Sequence, residues 1–187
     1  VLDVGKVLGI GPPGNPHQWY SPVSVERVTA RIAAAYARVD PADANYFARR
    51  ARMLLTAGLA RYDALRAQIR ARYAGAAVGF SESIFEPLGD DLRLSLLTRA
   101  FARAITNGTD VSAADKESLD ALVRERKIRV WVYNRQNVTP DVERITQLAR
   151  ERHIPIVPIT ETLSPASTTF QQWQVAQLEA LLAALKS

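Results

Sequence analysis

From residue 76 onward, short apolar runs alternate with helical patterns. This alternation narrows the possible folds more than any other feature of the sequence. Residues 76–81, 92–98, 128–134 and 154–160 read as buried strands, while 112–127, 139–152 and 168–186 read as helices. Ser112-Ala-Ala-Asp115 resembles a capping box with Asp in place of the usual Glu. Thr139-Pro140 places proline in the first turn of a helix. Strands that alternate with helices predict an α/β fold, with a parallel four-stranded sheet flanked by helices on both faces. Phe170, Trp173, Leu178, Leu181, Leu182 and Leu185 form a helical stripe of the kind that fills a core.

The first 75 residues follow a different grammar. Residues 1–22 are rich in glycine and proline and read as loop. Residues 22–39 read as a helix, with Val25, Val28, Ile32 and Val39 at helical spacing and Ser21 or Ser24 as the cap. Asp40-Pro41 ends it, and a long helix follows over about 42–73. Its apolar face carries Phe47, Leu54, Leu55, Tyr62, Leu65, Ile69 and Tyr73. Gly58 interrupts the pattern at a cost of about 1 kcal/mol against alanine. Thirty helical residues span roughly 45 Å, enough to bridge two bodies. Arg49, Arg50, Arg52, Arg61, Arg66, Arg70 and Arg72 read as a solvated face of this helix.

Charge and cysteine content bear on function. The formal net charge is +5 with a sequence pI near 9.8. A basic pI raises the possibility of a nucleic-acid partner. The arginines are interleaved with alanine and leucine on one helix, so the sequence is read as having no nucleic-acid partner. There is no cysteine, which excludes disulfides and thiolate metal sites. No run of 18 apolar residues reads as a membrane span.

Few residues are candidates for chemistry. The sequence has two histidines, His17 and His153. His17 lies in Asn15-Pro16-His17-Gln18-Trp19, a proline-stiffened loop that fixes the direction of an imidazole as a metal ligand requires. The plainer reading has it capping the next helix or packing on Trp19. His153 follows a helix and reads as a surface residue that favours the helix C-terminus. Glu82 and Glu161 follow predicted strands, and ligands of open parallel sheets bind outside the strands' carboxyl ends. Two carboxylates there suit a divalent cation or an acid/base pair. Alternatively each caps the helix that follows. Gly9-Ile10-Gly11-Pro12-Pro13-Gly14 is glycine-rich, but its prolines remove the amides that would cradle a phosphate.

The motif Asn15-Pro16-His17-Gln18-Trp19 resembles the NPHxW motif of the zinc/manganese solute-binding proteins of ABC importers. The resemblance continues in order through the Asp40-Pro41 boundary and Val130-Trp131-Val132-Tyr133-Asn134. It extends through Thr160-Glu161-Thr162-Leu163, Thr169-Phe170-Gln171-Gln172-Trp173 and Gln177-Leu178. It implies two α/β lobes joined by a rigid helix, with a zinc or manganese ion between them. Residues 1–40 are then the end of the first lobe with the NPHxW loop and a helix, 41–73 the linking helix, and 74–187 the C-terminal α/β lobe. The metal ligands carried over are His17, Glu82, which lies three residues before Phe85, and Glu161, where many members have aspartate. The family's first-lobe histidine has no counterpart here.

The resemblance further implies an extracytoplasmic protein that is not an enzyme and that delivers its ion to an ABC transporter permease in the membrane. Val1-Leu2-Asp3-Val4 reads as the middle of an element, so an upstream lobe is expected. With one ligand missing, the chain alone is expected to bind metal weakly or not at all. The surface left by the missing lobe is expected to favour self-association. Two rivals stand beside this reading. One is a metal-dependent or acid/base enzyme using Glu82 and Glu161. The other is a basic nucleic-acid-binding or interaction module.

Overall fold

The computed structural model describes residues 1–11 and 14–187. Pro12 and Pro13, on which the phosphate argument turned, lie outside the described residues. The sheet is parallel throughout, with strands β1 (Ala77–Phe80), β2 (Ser95–Leu96), β3 (Val130–Asn134) and β4 (Ile156–Ile159) in the order β2-β1-β3-β4. Val78 pairs with Leu96 and with Val130, and Val132 pairs with Val157. The predicted sheet is therefore the one observed. β2 is shorter than the predicted 92–98, because Leu92, the C-cap of helix α5 (Glu86–Asp91), and the left-handed Arg93 take up the start of that run.

Period-2 alternation sorts the strand side chains into two cores. Val78, Phe80, Val130, Val132, Val157 and Ile159 face α4 (Ala60–Tyr73) and α9 (Phe170–Lys186). Trp131 faces the other way, into a core with Phe101, Leu119, Val142 and Ile145. Those residues come from α6 (Arg99–Thr106), α7 (Ala113–Arg124) and α8 (Pro140–Glu151). Gly79 sits beneath the Trp131 ring, where a Cβ would lie 2.8 Å from Ile128 Cδ1 and 3.0 Å from Trp131 Cε3. Helices α5 and α6 have no counterpart among the predicted elements. Each is about two turns or less, too short for a periodic signal to rise above chance.

Local chemistry explains the helix ends. Thr139 and Pro140 start α8 as expected, and Thr139 Oγ1 accepts from Val142 N. Ser112 accepts from Asp115 N, but the reciprocal backbone bond of a capping box is formed instead at Thr169 and Gln172. Residues 4–8, read as loop, form the short helix α1 (Val4–Leu8), capped by Asp3 and closed by the left-handed Gly9. Helix α2 (Pro22–Val39) is capped by Ser21. Its Val25 and Val28 are half-buried, whereas Ile32 and Val39 are exposed.

The long helix is not uniform. It runs as α3 (Ala44–Met53), a π-helical turn Leu54–Gly58, and α4. Tyr62, Leu65 and Ile69 of α4 are buried as predicted. The solvated-face reading holds for Arg49, Arg50, Arg52, Arg61 and Arg72, but not for Arg66 and Arg70. Arg66 is buried, and its guanidinium donates twice to Asp91 (2.8 and 2.7 Å) and once to Asp63 (2.6 Å). Arg70 adds a second cation on Asp91 at 2.9 Å. A planar fork facing a carboxylate at the end of α5 turns a surface charge into a clasp between α4 and the sheet's flank.

Removing Asp91 takes away two of the three hydrogen bonds of the buried Arg66 and leaves it only the half-exposed Asp63. Asp91→Ala is therefore expected to cost about 3 kcal/mol, read from the urea unfolding midpoint. A loss no larger than that of an exposed Arg61→Ala control would overturn the clasp.

Candidate metal centre

His17, Glu82 and Glu161 converge, although 144 positions separate the first from the last. One ligand atom from each lies within 4.8 Å of the other two. His17 Nε2 is 3.7 Å from a Glu161 carboxylate oxygen. His17 and Glu82 are buried, and Glu161 is partly open to solvent.

Each residue reaches this point by a separate route. His17 opens a 3-10 turn, Gln18–Tyr20, and caps nothing with its ring. It packs edge-on against Trp19, with centroids 5.5 Å apart. The Asn15 side chain sets its tautomer. Asn15 Nδ2 donates to the Ser83 carbonyl at 2.7 Å, so Asn15 Oδ1 is the atom facing His17. That oxygen accepts from the His17 backbone N at 2.9 Å and lies 3.0 Å from Nδ1. The ring proton therefore sits on Nδ1, and the Nε2 lone pair points to the carboxylates.

Glu82 follows β1 in extended conformation and makes no helix cap. Asn134, at the end of β3, donates its side-chain N–H to Glu82 Oε2 at 2.6 Å. Glu161 follows β4, and its backbone N donates to Gln136 Oε1 at 2.7 Å. Thr169, not Glu161, caps α9. The edge rule thus places both carboxylates at the same end of the sheet. His153 is exposed at a helix end with φ 54°, away from the cluster.

Sequence reasoning missed the residues that hold the loop to the sheet. The buried Tyr20 hydroxyl lies 2.7 Å from both the Thr160 carbonyl and Gln177 Oε1. Thr160 N donates to the same Gln177 oxygen, and Trp173 Nε1 donates to Thr160 Oγ1. Asn134 and Gln136 also went unread. The strand-end rule that selected Glu82 and Glu161 would have selected Asn134 as well.

Electrostatically, burial lowers the His17 pKa. The charges of Glu82, Glu161 and Glu86 oppose this, and the net position is below the ordinary histidine value. The imidazole is neutral near pH 7, the form that binds metal. A cleft of about 1000 Å³ opens beside the His17 loop, lined by Ile10, Trp19, Val25, Leu54 and Phe170 among others, with none of the three donors on its walls.

Two predictions follow from these contacts. Tyr20→Phe leaves the buried Thr160 carbonyl without its donor, while Gln177 Oε1 keeps that of Thr160 N, and is expected to cost about 1–3 kcal/mol in urea denaturation; an unchanged midpoint would contradict the assignment. The depressed His17 pKa means that the unfolded chain takes up that proton more readily. His17 therefore subtracts stability as pH falls from the ordinary histidine value towards its folded value. Unfolding curves from pH 7 downward should show His17→Gln losing less stability than the unsubstituted chain, and parallel curves would refute this.

A family model described as zinc-uptake complex component A, periplasmic, matches residues 4–184. A manganese-bound mutant of a periplasmic metal-binding protein from Candidatus Liberibacter asiaticus superposes with a TM-score of 0.74 at 17% identity, over 92% of this chain and 64% of that one. A mutant of the laminin-binding adhesin of Streptococcus agalactiae gives 0.75 at 17% identity, over 99% and 70%. The SBP FpvC of Pseudomonas aeruginosa in complex with Mn2+ gives 0.66 at 19% identity, over 92% and 64%. At these identities the likeness is one of fold. The chain spans about two thirds of the length of these structures. No curated relative matches the sequence.

Proposed function

Because the chain belongs to the family of periplasmic zinc-uptake complex component A, we propose that it captures a divalent transition metal ion through His17, Glu82 and Glu161. The whole protein would pass that ion to the permease of an ABC importer. The observation that carries the reading is the convergence of one imidazole nitrogen and two carboxylates at the C-terminal edge of the sheet. Membership of a family of binding components favours capture over catalysis, and over the nucleic-acid reading of the basic pI.

The donor set fits such an ion. Donors around a tetrahedral zinc with bonds of about 2.1 Å lie roughly 3.4 Å apart. The three groups therefore need to close by about an ångström, and Glu161, the exposed member, has the room to move. An imidazole suits zinc, whereas two carboxylates move preference towards manganese. Structures of the same fold hold manganese, cadmium and nickel, which supports a divalent ion as the cargo. By the family resemblance, a first-lobe histidine would be the fourth ligand, and residues 1–40, 41–73 and 74–187 would be the end of the first lobe, the linking helix and the C-terminal lobe. By the same resemblance the protein would work outside the cytoplasm, a reading supported by the periplasmic description of the family. Among the described residues no helix is long and apolar enough to cross a membrane.

With three donors in place, calorimetric titration with zinc is expected to show weak one-to-one binding that His17→Ala abolishes and Glu82→Ala weakens further. Absence of any binding to the unsubstituted chain, or binding that survives His17→Ala, would overturn the reading. Tight binding would show that these residues already make a complete site.

A further inference from the structure

The end of β3 and the turn after it hold both acidic residues, Glu82 by its carboxylate and Glu161 by its backbone. Asn134 is fully buried at the end of β3. Its backbone N donates to Ser81 Oγ at 3.0 Å, and its Oδ1 accepts from Gln136 N at 2.9 Å. Because Oδ1 is taken by an N–H donor, the atom facing Glu82 is the amide nitrogen. That nitrogen holds Glu82 Oε2 at 2.6 Å, short even for a hydrogen bond to a charged acceptor. Two residues on, Gln136 Oε1 accepts from the backbone N of Glu161 (2.7 Å) and of Thr162 (3.0 Å). Gln136 Nε2 donates to Thr162 Oγ1 at 2.8 Å. One short stretch of chain thus fixes the Glu82 carboxylate by its oxygen and the Glu161 loop by its backbone.

The two modes of restraint have different chemical consequences. Among the described residues Glu161 accepts no hydrogen bond at its carboxylate and is pinned at the main chain. Glu82 Oε2 already accepts from Asn134, which spends part of its donor strength and leaves Oε1 the better ligand atom. An ion that takes four ligands needs a single oxygen from each carboxylate. An ion that prefers octahedral oxygen coordination gains from a carboxylate that chelates with both. Resting on the metal-receptor reading, we propose that Asn134 is a selectivity-determining positioning residue. It holds Glu82 to one-oxygen ligation and so biases the site towards zinc over manganese.

The proposal differs from a general packing role for Asn134 in what it predicts for two ions compared. A structural role lowers affinity for every ion alike, through misplacement of Glu82. A role in setting how many oxygens Glu82 offers changes the ratio between ions. It also works only through the Glu82 carboxylate, so it disappears when that carboxylate is replaced by an amide.

The experiment measures zinc and manganese affinities by chelator competition for the full chain, Asn134→Ala, Asn134→Leu, Glu82→Gln and the Asn134→Ala/Glu82→Gln double variant. Asn134→Leu keeps the buried volume and loses the donor without adding a second carboxylate beside Glu82, so it serves if the alanine variant does not fold. Zinc affinity is expected to fall about 10–100-fold in the Asn134 variants while manganese affinity changes by less than about threefold. In the Glu82→Gln background, Asn134→Ala should not change the ratio further. Visible absorption of the cobalt-loaded protein is expected to weaken in the Asn134 variants as the coordination number rises. An equal loss for both ions, or an unchanged ratio in both Asn134 variants, overturns the proposal while leaving the metal-receptor reading intact. Failure of the unsubstituted chain to bind either ion overturns that reading, and this inference with it.

Discussion

The phenolic hydrogen of Tyr20 joins two parts of the chain that are 140 residues apart. It lies between the Thr160 carbonyl, at the end of β4, and Gln177 Oε1 on α9. Tyr20 is three residues from His17 and Thr160 is one residue from Glu161. Seating this ring therefore sets the distance between the imidazole and the second carboxylate. The hydroxyl is wholly buried, and burial pushes its pKa above the ordinary tyrosine range, so it stays a donor. Gln177 Oε1 accepts from Thr160 N as well, and Thr160 Oγ1 accepts from Trp173. Buried acceptors are expensive to leave unmet. The cluster consequently has few alternatives to the arrangement that brings His17 to the sheet edge.

Around the three candidate ligands the same solution recurs. Asn15 orients His17, Asn134 orients Glu82, and Gln136 holds the backbone of Glu161. All three are neutral amides. A cation in their place would satisfy the carboxylates and compete with the ion, and an anion would repel them. An amide directs a donor or a ligand without altering the net charge that the ion meets. The amides also bind to one another's neighbours: Asn15 reaches the Ser83 carbonyl, next to Glu82, and Gln136 N reaches Asn134. The candidate ligands thus come from three distant segments but are supported by a connected set of amides.

Much of this was legible in the sequence, for reasons that can be stated. The strand runs are apolar because the sheet is covered on both faces, and Thr139-Pro140 marks a helix start by its own chemistry. The strand-end rule found Glu82 and Glu161 because topology, not local sequence, determines where they lie. Pairings between distant side chains were not legible. Arg66 resembles its exposed neighbours until Asp91 is seen opposite it, and Asn134 and Tyr20 read as ordinary strand and loop residues until their partners are known. Helices α5 and α6 escaped because about two turns or fewer carry too little periodicity. The π turn escaped because the break it makes in the apolar pattern coincides with Gly58, which accounts for a break by itself.

That turn, Leu54–Gly58, has a bearing on how such a molecule can change over generations. On one side of it α3 lies along α2, and on the other α4 lies along α9. Winding the chain more loosely for one turn absorbs about one residue, and each residue advances a helix by about 100°. The azimuth of the α2–α3 pair about the common axis is therefore set by a residue count. A lineage that lost or gained a single codon here would turn one end of the helix against the other by a large discrete step, with the sheet and its edge carboxylates untouched. The angle between the two ends is digital, so it is inherited by arithmetic where most interfaces are inherited by shape.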